Sequence, residues 1–98
     1  MVNSNLSSID PYNLPRIDTG TVSASESKVV ILKSTLLSSE YKMLGVVSHK
    51  TTNPWLAPKS IEWTTSSDGY IQVNMTVLNA ASSTTSGTIS GAILVCKK

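Results

Sequence analysis

The sequence contains one histidine and one cysteine, His49 and Cys96, and they are the first residues to consider for catalysis. A thiolate nucleophile needs a base beside it, and the base in turn needs a third group to orient it. No third group stands out, and Cys96 ends an apolar segment, where a free cysteine behaves as a small buried hydrophobe. The pattern therefore favours a protein that is not an enzyme.

The acidic residues offer little more chemistry, because all six are scattered along the chain. Asp68 precedes Gly69 and is typical of a tight turn, and Glu62 occupies an outward position beside Trp63. None of the spacings used for zinc or calcium ligands is present. We therefore expect no metal and no cofactor.

The candidate binding residue is Trp55, which lies between Pro54 and Pro58 with polar side chains close by in the sequence. A rigid aromatic platform of this kind is typical of sites that bind a sugar or a protein partner. The predicted binding residues are Trp55, Asn53, His49 and Lys50. The alternative is that the indole caps one end of the folded core.

The element that must position such a loop is 69–79, the longest run in which apolar and polar residues alternate strictly. This alternation predicts a half-buried strand. Asp68 and Gly69 supply a tight turn before it, so 60–79 is predicted to be a hairpin. Trp63 alternates in phase with Ile61 and is predicted to lie in the core.

Apolar runs and turn residues predict the remaining elements. Strands are expected at 19–25, 29–32, 43–49 and 88–96, and connections at 35–41, 49–58 and 80–87. The run 29–32 is apolar on both faces, so it is a central strand or one covered by a neighbouring subunit. Gly45 suggests a bulge or a close backbone approach. The pattern predicts an all-β fold, a small antiparallel β-sandwich or jelly-roll-like barrel.

The amino-terminal segment 1–18 contains Pro11 and Pro15 and shows no sustained periodicity. It is expected to be an extended arm that docks Tyr12, Leu14 and Ile17 onto another subunit or a host particle. The alternative from composition is a disordered terminus. The predicted organisation is therefore an arm, 1–18, followed by a single sandwich domain, 19–98.

Composition and charge limit the kinds of partner that are expected for this chain. The net charge of +2 comes without a basic cluster beyond Lys97 and Lys98, which argues against nucleic acid. The longest strictly apolar run, 29–32, is far shorter than the roughly 20 residues that span a bilayer, so no membrane insertion is expected. No signal peptide is visible, and synthesis in a cytoplasm is expected. Few aromatics and a lean core favour self-association.

The segment from Gly69 to Asn74, followed by a Ser/Thr/Gly loop and 87–95, resembles the closing hairpin of small phage-virion β-sandwiches. These are knob domains of tail and head fibres, H-type-lectin-like domains among them, and the low charge and proline-containing arm are similar to capsid decoration proteins. The resemblance implies a trimeric, non-enzymatic protein of the virion that attaches to other virion proteins and contacts a host receptor, with a surface glycan as candidate ligand. The rival hypothesis is a carbohydrate-binding or adhesin module of cellular origin.

Overall fold

The computed structural model describes residues 9–98, and their regular secondary structure consists of strands. The strands are β1 (Ile9–Asn13), β2 (Ile17–Asp18), β3 (Ser27–Leu37), β4 (Tyr41–Thr51), β5 (Leu56–Thr65), β6 (Tyr70–Asn79) and β7 (Thr88–Lys97). They pair antiparallel in two sheets. In the first, β7 lies between β4 on one side and β1 with β2 on the other, and in the second the order is β3-β6-β5. The predicted all-β antiparallel sandwich is confirmed.

The two central strands, β6 and β7, carry most of the core. On β6 the alternation predicted from the sequence is confirmed, since every second side chain is buried. Three inward side chains of β7 are also buried, and they form the facing layer in the other sheet. The buried apolar residues of the two strands are Ile71, Val73, Met75, Val77, Ile89, Ile93 and Val95. Burial of two facing apolar layers is the main force that holds the sheets together.

The hairpin predicted at 60–79 is confirmed as β5 and β6, with Ile61 opposite Met75 in the register. Gly69 takes a positive φ of 92°, which the turn requires. Asp68 accepts a hydrogen bond from Ser66 and forms an ion pair with Lys33 of β3, with 2.6 Å between Nζ and Oδ2. The hydrogen bonds from Lys33 and Ser66 lower the pKa of Asp68, so this carboxylate stays ionised at neutral pH.

The expected closing hairpin at 69–95 is wrong, because β6 and β7 belong to different sheets and do not pair with each other. The connecting loop is held by Asn79, whose side chain is fully buried. Its amide nitrogen donates to the carbonyls of Val22 (2.9 Å) and Ser83 (3.0 Å), and its oxygen accepts from the Ala81 amide (2.9 Å). This one amide side chain therefore forms hydrogen bonds with backbone groups of two loops. Because it is buried, its polar atoms need such partners.

Three other sequence predictions need correction. The strand expected at 19–25 is absent apart from a single bridge between Val22 and Thr85. The connection expected at 35–41 narrows to a turn, because β3 runs to Leu37 and β4 begins at Tyr41. The connection expected at 49–58 also shrinks, since Pro58 lies inside β5; this is tolerated because β5 is an edge strand with a register shift beside that residue.

β3 is also an edge strand, so the prediction of a central strand at 29–32 is wrong. Its inward residues Val30 and Leu32 are buried, whereas Val29 and Ile31 point outward with 58% and 46% of their surface exposed. We call these two residues the outer β3 face.

The segment 1–18 falls partly outside the described residues, which start at 9. Its described part is extended and pairs with β7, from Ile9 opposite Cys96 to Asp18 opposite Thr88. Tyr12 packs against the core and its hydroxyl lies 2.9 Å from the Thr35 hydroxyl of β3. Leu14, expected to dock on a partner, is instead buried in the core of its own chain because it lies over Gly91, where no side chain intervenes. Ile17 is partly exposed.

Strand β4 has register shifts against β7 between Met43 and Gly45 and between Val46 and Ser48. The bulge predicted near Gly45 is therefore confirmed, and the extra residue is Leu44. The alternative, a close backbone approach, is wrong because a Cβ at Gly45 would meet nothing within 4 Å. The two extra residues, Leu44 and Val47, are both exposed apolar side chains.

Candidate functional site: an open seam and a polar saddle

The side of the sandwich where β4 faces β5 is open. Both are edge strands, and the residues between them line a cleft of about 510 Å³. We call it the seam cleft; its lining residues are Val46, Val47, Ser48, His49, Ile61 and Trp63. The opposite side is closed more tightly, since Tyr12 of β1 reaches across to Thr35 of β3. The sandwich therefore exposes part of its apolar interior on one side.

Trp63 is 49% exposed, so the prediction that it is a core residue is wrong. The face was predicted correctly, because Trp63 pairs with Val73, which is fully buried. Exposure arises because β5 is an edge strand and the bulged β4 does not cover it. A second depression of about 290 Å³, lined by Tyr41 and Met43 among others, lies on the far side of the same indole.

The structure divides the predicted binding residues between two places, strand β4 and the loop that follows it. His49 pairs with Gly91 and Lys50 with Ser90, so their side chains leave β4 on opposite faces. The His49 side chain leaves toward the inner side and lines the seam cleft, and that of Lys50 leaves toward the outer face, but both residues line a further depression on the first sheet. Asn53 and Trp55 lie in the loop between β4 and β5.

The loop is ordered by its own hydrogen bonds. Asn53 accepts from the Trp55 amide at 2.9 Å and donates to the Ser86 carbonyl at 3.3 Å, so its side chain already has partners. Trp55 is 55% exposed, and the neighbouring Leu56 is the residue that closes this end of the core. Trp55 is thus an exposed aromatic side chain on a fixed turn, separate from His49 and Lys50.

The outer face of the first sheet carries a shallow depression of about 410 Å³ across β1, β7 and β4. We call this depression the saddle; its lining residues are Asn13, Leu14, Arg16, Ser48, His49, Lys50, Ser90, Gly91 and Ala92. Its lining comes entirely from the first sheet and the connection between β1 and β2. Sequence reasoning singled out three of the lining residues, His49 and Lys50 as binding residues and Leu14 as part of the arm. It missed the others because they come from separate strands.

The geometry does not unite the residues considered for catalysis. Cys96 pairs with Lys42, whereas His49 pairs with Gly91, five positions away on β7. Five residues of a strand span about 17 Å, and an odd separation places the two side chains on opposite faces. Within residues 9–98, no group of three or more His, Cys, Asp or Glu side chains is arranged to hold a metal ion.

No helix that could span a membrane occurs in the described part of the chain. Comparison with known proteins finds no matching family model, curated protein or solved structure. The functional argument therefore depends on the geometry of the seam cleft, the saddle and the exposed apolar side chains.

Exposure of Trp63 gives a direct prediction. Trp63→Ala should lower the free energy of unfolding by only about 1–2 kcal/mol, since roughly half of the indole is already in water. Ile93→Ala, at a fully buried position, should cost about 2–5 kcal/mol. Denaturant unfolding measures both, with Trp55→Ala as a matched exposed control that should cost no more than Trp63→Ala. A loss at Trp63 equal to that at Ile93 would contradict an open seam.

Proposed function

We propose that this chain is a non-catalytic structural protein of a bacteriophage particle, a fibre or capsid decoration component that attaches to the virion and contacts a host surface receptor. The observation that carries the proposal is the number of large apolar side chains exposed outside the core. They are Ile17, Val29, Ile31, Leu44, Val47, Trp55 and Trp63. In a small domain whose surface is otherwise hydroxyl-rich and weakly charged, we take neighbouring exposed apolar side chains, such as Val29 and Ile31 on one face of β3, to mark contacts with other molecules.

Self-association as a trimer is part of the proposal. The outer β3 face places two β-branched apolar residues beside the polar residues Thr76 and Asn74 of β6. β3 is an edge strand, and an exposed apolar edge is avoided in monomeric sheet proteins because it invites pairing with another chain. Contact between subunits at this face would bury the outward apolar side chains of β3.

Attachment to the particle is assigned to residues 1–8, the part of the predicted arm outside the described residues. Residues 9–18 are integral to the first sheet, and Leu14 belongs to the core. Residues 1–8 therefore contact other virion proteins, and the sandwich is displayed on the surface of the particle. The protein is made in the host cytoplasm and resides in the virion.

A second candidate function is a carbohydrate-binding or adhesin module of cellular origin. The observation that favours it is the seam cleft, which Trp63 and His49 line together. An aromatic ring beside hydrogen-bonding side chains suits the apolar faces and hydroxyls of a sugar. Trp55 offers a second aromatic surface for the same purpose.

Self-association predicts a clear effect of charge on the outer β3 face. The double variant Val29→Glu, Ile31→Glu should be a monomer, because burying two carboxylates at a contact is costly. Sedimentation velocity at micromolar concentration should show a trimer for the unaltered chain. Thr64→Glu, on the outer face of β5, is the matched control and should remain a trimer. A monomeric unaltered chain would refute the trimer.

Particle attachment is tested with antibodies against the purified sandwich. Immunogold electron microscopy of phage particles from the source culture should label the virion surface. A variant lacking residues 1–8 should fold, as judged by its circular dichroism and melting curve, yet be missing from purified particles. The deletion ends before Ile9 so that the first sheet stays intact.

Two results would contradict the proposal: the first rejects the virion assignment, and the second rejects only the attachment role of residues 1–8. One is label on cell surfaces with none on particles, which favours the adhesin module. The other is unchanged incorporation of the folded deletion variant, which removes residues 1–8 as the attachment segment.

A further inference from the structure

We propose that the saddle binds the acidic group of a negatively charged saccharide. Three of its features carry this inference: its shape, its positive charge and its uncharged hydrogen-bonding groups. The inference rests on the proposed contact with a host surface, which would supply such a saccharide.

The shape follows from the register of the first sheet. Residues paired across antiparallel strands share a face, so Ser48, Asn13 and Ala92 form one row on the outer face, and Lys50 and Ser90 form part of the next. The central strand β7 contributes only small side chains here, whereas the flanking strands contribute larger ones. Strands β1 and β4 lie on either side of β7, about 10 Å apart. The depression of about 410 Å³ can hold one or two sugar rings, which is more than a bare anion needs.

The saddle has no carboxylate of its own to balance its positive charge. Lys50 and Arg16 are lining residues, and no carboxylate residue lines the depression. Among residues 9–98, neither takes part in an ion pair within 4.0 Å. Residues 1–8 contain no Asp or Glu that could supply one. Asp18 is on the same outer face, opposite Thr88 and one row beyond Ser90, but it does not line the saddle. A hydrogen bond from the Gly20 amide, at 2.7 Å, holds its carboxylate toward its own loop.

The uncharged groups point to a saccharide rather than a simple anion. Asn13, Ser48 and Ser90 surround the small floor and offer hydroxyl and amide groups that can donate and accept. A lysine and an arginine can hold a carboxylate or sulfate by charge-assisted hydrogen bonds while these groups contact ring hydroxyls. An acidic sugar can bind the cations and the uncharged groups together, whereas a neutral sugar leaves the two cations without a partner.

The test is titration of the ¹⁵N-labelled full chain by NMR with four probes: 3′-sialyllactose, a heparin-derived sulfated disaccharide, lactose and sodium sulfate. At least one acidic saccharide should shift the amides of Asn13, Leu14 and Arg16, of 48–50 and of 90–92, and lactose should not. The stronger of the two acidic probes identifies the group as carboxylate or sulfate. No shifts with either acidic probe, or shifts confined to Trp63 or Trp55, would overturn the proposal.

Sodium sulfate distinguishes a saccharide site from a site for any anion. If sulfate binds as tightly as both acidic saccharides, the saddle holds only the anion and the proposal is wrong. Because the titration uses the isolated chain, its failure alongside labelled particles would reject this inference alone. Binding by a chain absent from particles would reject only the virion assignment.

Variants locate the site. Lys50→Ala and Arg16→Ala should each weaken saccharide binding about tenfold, the size expected for loss of a charge-assisted hydrogen bond. Ala92→Leu should abolish binding by filling the floor while leaving both cations in place. Lys59→Ala, in the other sheet, is the matched control and should bind normally. Equal loss in Lys59→Ala and Lys50→Ala would indicate attraction by net charge and would contradict a defined site.

Discussion

The contact between β6 and β7 is the interaction on which the rest of this structure depends. Each is the central strand of its sheet, and their inward side chains are buried almost completely. A chain of 98 residues with five aromatics and no phenylalanine has little further apolar volume with which to cover the flanking strands. The edge strands are therefore covered incompletely, and the open seam between β4 and β5 is a consequence of that small core.

The same constraint explains which parts of the fold could be predicted. Alternation identified β6 and the hairpin with β5, because one buried face imposes a period of two. Trp63 was placed on the correct face and still misjudged, since alternation reports the direction of a side chain and not whether an opposing strand covers it. The assignment of β6 and β7 to different sheets likewise depends on long-range packing, and in particular on Asn79, whose buried hydrogen bonds hold the loop between them.

The candidate sites show a similar limit. The side chains of His49 and Lys50 leave β4 on opposite faces, which the sequence alone does not show, although both residues line the saddle. The saddle combines Arg16, Lys50 and Ser90, which are far apart in the sequence, and no local pattern marks them. For Trp55 the prolines around it indicate a turn, but the sequence left open whether the indole is an exposed platform or caps the core. The structure exposes it.

Native-state hydrogen exchange of the individual amides tests most directly whether the β6–β7 contact carries the fold. The account predicts that the slowest-exchanging amides lie in β6 and β7 and open only with global unfolding, while hydrogen-bonded amides of β4 and β5 along the seam exchange through smaller, local openings. Equal protection of β4 and β5 would show that the seam is closed in solution, and would contradict the account.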